Sequence, residues 1–320
     1  MENSRRSALS IVLNTFFICI VAYFIEYKFF YARILSIFGT TMICKIVGIV
    51  AIFVALRLLG TKWKSIGFVV KTKKIIQGII TPVIIIGVCA VLAFLLLKLL
   101  VESQGGTLQI EYSIMHSTLD KNGELSSSYI SFVIALFSAA VSAFMVEALL
   151  RGLILQTANK HLRFYASNTI VVALTVIWHS VIYVFNFTMG TMTTKAFIRS
   201  LICSIVIYFS AAIRRGLYTR AYGTIWGCIF DYFITMMVIN NLPLTINLPY
   251  DFVVTNPLAY LVSFMSSRLN NTYATIAFMG LVGVLSMFIM IIYCKIIKKK
   301  ARKKYIKRIS GAIDESAENE

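Results

Sequence analysis

Apolar runs of about 20 residues, each nearly free of charge, recur from one end of this 320-residue chain to the other. A run of that length crosses the ~30 Å hydrocarbon core of a bilayer as an α-helix, which satisfies its own backbone N–H and C=O groups. The runs begin near residue 8 and continue over 34–59, 75–100, 129–157, 165–187, 197–213, 222–239 and 272–297. None alternates polar with apolar residues, which excludes a transmembrane β-barrel. Hydrophobic residues make up 59% of the chain and charged residues 14%, so soluble globular classes are excluded too. The expected fold class is all-α: a polytopic membrane helix bundle of about eight transmembrane helices.

The net charge of +18 is placed between these runs. Basic residues cluster at Arg5-Arg6, over 57–74, at Lys160 and Arg163, at Arg214-Arg215 with Arg220, and over 295–308. Such a distribution encodes topology and attracts anionic lipid head groups. It gives no reason to expect a nucleic-acid partner. The 101–128 loop is acidic, with Glu102, Glu111, Asp120 and Glu124 against Lys121. Placing both termini in the cytoplasm puts every basic cluster inside and this loop outside. Residues 1–7 are polar and basic, with no small-residue cleavage site after the first run, so that run reads as an uncleaved span. One membrane domain is expected over 1–297, then a basic and finally acidic cytoplasmic tail over 298–320. Cys19, Cys44, Cys89, Cys203, Cys228 and Cys294 are scattered singly, so neither a disulfide framework nor a zinc–thiolate site is indicated.

Against this background the ionisable residues inside the runs stand out. Glu147 and Arg151 in the fourth run lie four apart, on one helical face and in the favourable order. Each charge costs roughly 2.5–3.5 kcal/mol at the bilayer centre, and a leucine returns only about 0.5. The pair must therefore engage each other or face a wet cavity; it reads either as a structural ion pair or as a functional site. His179 lies in the fifth run and Asp231 in the seventh. All three runs bring their polar groups about 8–14 residues from the cytoplasmic end, roughly 12–20 Å in at 1.5 Å per residue. A shared site at one depth is expected. A buried carboxylate beside a histidine can activate water. His179 has Thr175 and Tyr183 on its face, Asp231 has Thr235, and His179 also reads as a core histidine hydrogen-bonded across helices. The expected partners of Asp231 are His179, Arg151 or the Arg214-Arg215 turn. Lys45, in the second run, either snorkels or faces the bundle.

These residues resemble the motifs of the CAAX-processing and bacteriocin-processing (CPBP) intramembrane protease family, which includes the prenyl-protein endoproteases. That family carries Glu-Glu-x-x-x-Arg, usually followed by Gly, then Phe-x-x-x-His, then His-x-x-x-Asn/Asp, on successive membrane helices. Glu147, Arg151 and Gly152 match the second Glu, the Arg and the Gly of the first motif, and Val146 stands at the first Glu. His179 matches the second motif, with Thr175 for Phe. The lead-in Gly223-x-x-Trp226 is similar to the third region, which aligns Asp231 with the His and Thr235 with the Asn/Asp. The similarity covers about 129–239.

Two functions follow from the resemblance. The changed motif positions imply a catalytically impaired relative, acting on a membrane protein or peptide partner as a scaffold, regulator or immunity-type protein. The alternative is an active intramembrane endopeptidase for membrane-associated, prenylated or bacteriocin-type peptides, with Glu147 as base and His179, Asp231 and Arg151 as polarising or orienting groups. Either places the chain in the cell membrane as a multi-pass protein, and the family's distribution implies a bacterial plasma membrane. A transporter would call for inverted repeats or paired broken helices, and neither is present. No cofactor is expected. With His179 as the intramembrane histidine and His116 and His161 in polar segments, no metal is expected either.

Overall fold

The computed structural model describes residues 2–30, 41–110, 129–241, 244–249, 253–254, 256–258, 262 and 272–317. The loop residues Glu111, His116, Asp120, Lys121 and Glu124, and the tail residues Glu318 and Glu320, lie outside them.

Helices follow the apolar runs closely. They are α1 (Glu2–Phe29), α2 (Ile43–Leu58), α3 (Thr72–Glu102), α4 (Tyr129–Glu147), α5 (Leu155–Asn159), α6 (Phe164–Thr188), α7 (Thr194–Tyr222), α8 (Trp226–Asn241) and α9 (Thr272–Ala317). A π-helical segment, Ala148–Ile154, joins α4 to α5 without a break. Among the described residues six stretches are long and apolar enough to cross a membrane: Ser7–Phe29, Thr72–Glu102, Phe132–Asn159, Phe164–Thr188, Thr194–Tyr222 and Ala274–Ile296. The protein is therefore a polytopic helical membrane bundle. The two remaining runs form α2 and α8, of 16 residues each. At 1.5 Å per residue each is about 24 Å long, short of the ~30 Å core. Length and apolarity thus support six spans where the sequence suggested about eight.

Two further departures have simple causes. Two strands, β1 (Thr107–Ile110) and β2 (Leu244–Asn247), pair antiparallel with Thr107 opposite Asn247 and Ile110 opposite Leu244. They lie in stretches expected to be loops, and pairing satisfies backbone groups that burial of Leu244 and Ile246 would otherwise strand. The last helix continues through Ala317, so helix α9 joins the end of the membrane domain to the expected tail at 298 without interruption.

The α4–α5 rod sits at the centre. In its most apolar window 56% of residues are buried, against 22–44% in the other five long helices. Around it a core forms from Phe16 of α1, Ile52 and Leu56 of α2, Trp178 of α6 and Ile225, Ile229 and Tyr232 near and within α8. Helices α7 and α9 pack on each other, and α3 packs on α8 and α9.

The bundle has two distinguishable ends. At one, the Lys74 Nζ donates to Tyr222 O (2.6 Å), Ile225 N donates to Gly67 O (3.1 Å) and Trp226 Nε1 donates to Val69 O (3.1 Å). These bonds dock the basic 60–74 linker, with its short 3-10 turn Trp63–Ile66, on the junction of α7 and α8. Gly223 ends α7 at φ +63°, a left-handed conformation that glycine adopts without a Cβ penalty. At the other end, the Glu26 carboxylate of α1 accepts from the backbone N–H groups of Met42, Ile43 and Cys44 at 2.5, 2.9 and 2.6 Å. It thereby caps the start of α2, whose first N–H groups have no partner within the helix. Tyr27 donates to Asn186 Oδ1 at this end (2.8 Å), tying α1 to α6.

Candidate functional site

Glu147 closes α4 and Arg151 lies in the π-helical segment, both with no solvent exposure. π-helical turns widen a helix locally and are frequent where side chains are re-aimed for function. Gly152 lets another element approach this segment: a Cβ there would lie 3.3 Å from Ile66 O and 3.2 Å from Ile66 Cδ1 of the linker turn.

The Arg151 Nη1 contacts Glu147 Oε1 at 3.4 Å, the i, i+4 pair that the spacing predicts. The same Glu147 oxygen receives Arg215 Nη1 at 3.2 Å. Arg215 Nε in turn donates to Asp231 Oδ1 at 2.6 Å. Arg214 completes the chain: its Nε donates to Asp231 Oδ2 (2.6 Å), its Nη2 to Asp231 Oδ1 (2.8 Å) and its Nη1 to the Ser286 hydroxyl of α9. Three guanidinium groups and two carboxylates, all buried, thus run continuously from the α4–α5 rod through α7 to α8. One positive charge is left over. Burying such a set is costly, and it is tolerated because each group meets a partner of opposite sign.

The two carboxylates are not equivalent. Both oxygens of Asp231 accept short hydrogen bonds from guanidinium groups, and charge-assisted bonds of this length are the strong kind. Thr235 does not add to them, since its hydroxyl donates to the Asp231 backbone carbonyl (2.7 Å). Glu147 is held more loosely through Oε1, and its Oε2 is buried without a hydrogen-bond partner. Arg151 Nε and Nη2 are buried without one as well.

His179 stands outside the ion pairs. Its ring lies flat on Tyr208, with centroids 3.6 Å apart and planes 2° from parallel, and 5.7 Å from the Tyr232 ring. Tyr232 also carries the Arg215 guanidinium over its ring at 4.7 Å. His179 is therefore connected to the charged chain through an aromatic ring, and its Nε2 is buried without a hydrogen-bond partner. Thr175 donates to Val171 O and Tyr183 shares the α6 face, so Thr175 does not orient the imidazole.

The structure thus brings Glu147, Arg151 and Asp231 into one network and sets His179 beside it. Arg214 and Arg215 have a larger part than expected. The apolar run 197–213 stops before them, which suggested a turn; α7 instead continues to Tyr222 and carries both arginines inward. The signal was available in length, since that run spans only about 26 Å and needs the following turns to reach the ~30 Å of a full crossing. A second polar site lies at the start of α2, where the sequence singled out Lys45 but not Glu26. Beside the Glu26 cap, Lys45 is buried and donates to Thr41 Oγ1 (2.8 Å) and Thr41 O (3.2 Å). It thus faces the bundle.

Chemically, the network suits mechanical clamping better than acid–base work. Asp231 already accepts three guanidinium hydrogen bonds on its roughly four lone-pair sites and is held as the charged form, which makes it a poor base toward water. Glu147 Oε2 and His179 Nε2, each buried without a hydrogen-bond partner, are the better placed acceptors. Among the described residues no group of three or more His, Cys, Asp and Glu side chains is placed to hold a metal ion. Comparison with protein-family models, with curated proteins and with solved structures finds no match to this chain.

Proposed function

We propose that this chain is a CPBP-protease-like membrane protein in which an ion-pair clamp has taken the place of a hydrolytic centre. It binds a peptide or protein partner in the membrane as a scaffold, regulator or immunity-type protein. The observation that carries this reading is the engagement of Asp231, at the position of a motif histidine, by both Arg214 and Arg215. Val146 adds weight, being a buried apolar residue where the resemblance calls for a second carboxylate.

The chain crosses the membrane eight times in this reading, with α2 and α8 as short spans and both termini in the cytoplasm. Support comes from the helix ends: α2 starts beside Glu26 at one end of the bundle and leads into the linker docked at the other. Lys62, Lys64, Lys71, Lys73, Lys74, Arg220 and Lys295 lie at that linker end, and this excess of basic residues supports a cytoplasmic assignment for it. A bacterial plasma membrane is the proposed location.

One observation favours an active endopeptidase instead. The acid Glu147 and the base His179 each keep a buried atom, Oε2 and Nε2, without a hydrogen-bond partner. A cleavage assay on membrane-anchored peptides, with wild type, Glu147→Gln and His179→Ala, separates the two. The clamp reading expects no turnover by any of the three, and a cellular phenotype that survives both substitutions. Turnover by wild type that both substitutions abolish, in proteins that remain folded, establishes the peptidase.

A further inference from the structure

At the linker end, where α6 begins, α7 ends and α9 leaves its apolar run, a cleft of about 230 Å³ opens between these helices. Its walls include Tyr165, Leu217, Arg220, Ile291, Cys294 and Lys295. Two of the lining residues are cations, none is acidic, and both Arg220 and Lys295 are exposed. The Arg220 guanidinium is held over two rings, 4.8 Å from the Phe164 centroid and 4.7 Å from that of Tyr165. Such cation–π contacts fix the position of the group while leaving its N–H donors free for an anion. The opposite wall is apolar, and it continues into Ile292 and Ile296 on the exposed flank of α9.

We propose that this cleft binds the phosphate group of an anionic glycerophospholipid, with Arg220 and Lys295 as its cations and Leu217 and Ile291 against the first acyl carbons. Four features favour this occupant. The cleft lies at the basic end of the bundle, where aromatic and basic residues mark the head-group level. It is smaller than the ~300–1,000 Å³ typical of pockets that enclose a whole small molecule, so it accommodates a head group with its chains outside. Arginine presents a planar fork that matches phosphate oxygens. The apolar flank of α9 gives the chains a surface to follow. None of this depends on whether the ion-pair network is catalytic.

The test uses the full chain in a neutral detergent. Cys294, in the wall, reports occupancy through the rate at which its thiol is alkylated, and partly exposed Cys203 on α7 serves as the internal reference. Phosphatidylglycerol is expected to slow alkylation of Cys294 and not of Cys203, and to appear as a bound adduct in native mass spectrometry. The Arg220→Gln/Lys295→Gln double variant should weaken this binding about thirtyfold, since each basic contact near an anionic lipid contributes about a fivefold factor. Lys195→Gln, at the far end of α7, should leave it unchanged. Should the double variant fail to fold, Lys295→Gln alone, exposed on α9, should still lose about fivefold. Equal protection by phosphatidylcholine, equal protection by inorganic phosphate without lipid, or wild-type affinity in the substituted protein overturns the proposal.

Discussion

Asp231 and Glu147 are both buried acids with arginine partners, yet their substitution should have different consequences. Asp231→Asn leaves Arg214 and Arg215 without the group that fills their donors. Removing one member of a buried ion pair in this way costs about 3–5 kcal/mol. Little folded protein should be recovered in detergent, and what is recovered should melt well below wild type. Glu147→Gln removes only the 3.2 and 3.4 Å contacts to Oε1 and should cost about 1–3 kcal/mol. Equal thermal shifts for the two variants would contradict the hierarchy that the bond lengths imply. Added salt should leave both losses nearly unchanged, because buried charges are little screened.

Among the elements, α2 depends on a residue that is not its own. Its N-terminal N–H groups are satisfied by Glu26 across from α1, so Glu26→Ala should release the first turn of α2. Faster amide hydrogen exchange at Met42, Ile43 and Cys44, with exchange in α4 unchanged, is the expected result. What could be read from the sequence divides along the same physical line. Each helix announces itself because burial in lipid demands one continuous apolar run, and the starts of α3 and α6 fall within three residues of expectation. Glu147 and Arg151 were legible because their spacing alone pairs them. Asp231 was legible as a charge requiring a partner, but its choice among His179, Arg151 and the two arginines depends on how helices rotate and pack, which no single segment encodes. Arg214 and Arg215 read as a turn between runs because an arginine pair is costly in lipid; the acid that offsets that cost lies on another helix. The short β1–β2 pair left no pattern, since four residues are too few for alternation to register.

For the molecule as a whole, the assignment of the more basic linker end to one side of the membrane can be checked directly. In a cysteine-free background, Lys195→Cys should react with a membrane-impermeant maleimide on intact cells, and Lys71→Cys only after permeabilisation. Both exposed positions are at opposite ends of the bundle, so labelling of the two from the same side would contradict the proposed topology.

The adjacent arginines of α7 also constrain how the protein is made. Entering lipid alone, α7 would carry both charges uncompensated, at roughly 5–7 kcal/mol on insertion scales. Glu147, already synthesised, reaches only Arg215, and Asp231, the acid that both arginines share, is 17 residues downstream of Arg214. At about 5–20 residues per second, it leaves the ribosome about one to three seconds later. Helices α7 and α8 are therefore expected to leave the translocon together, the second supplying the acid that the first requires.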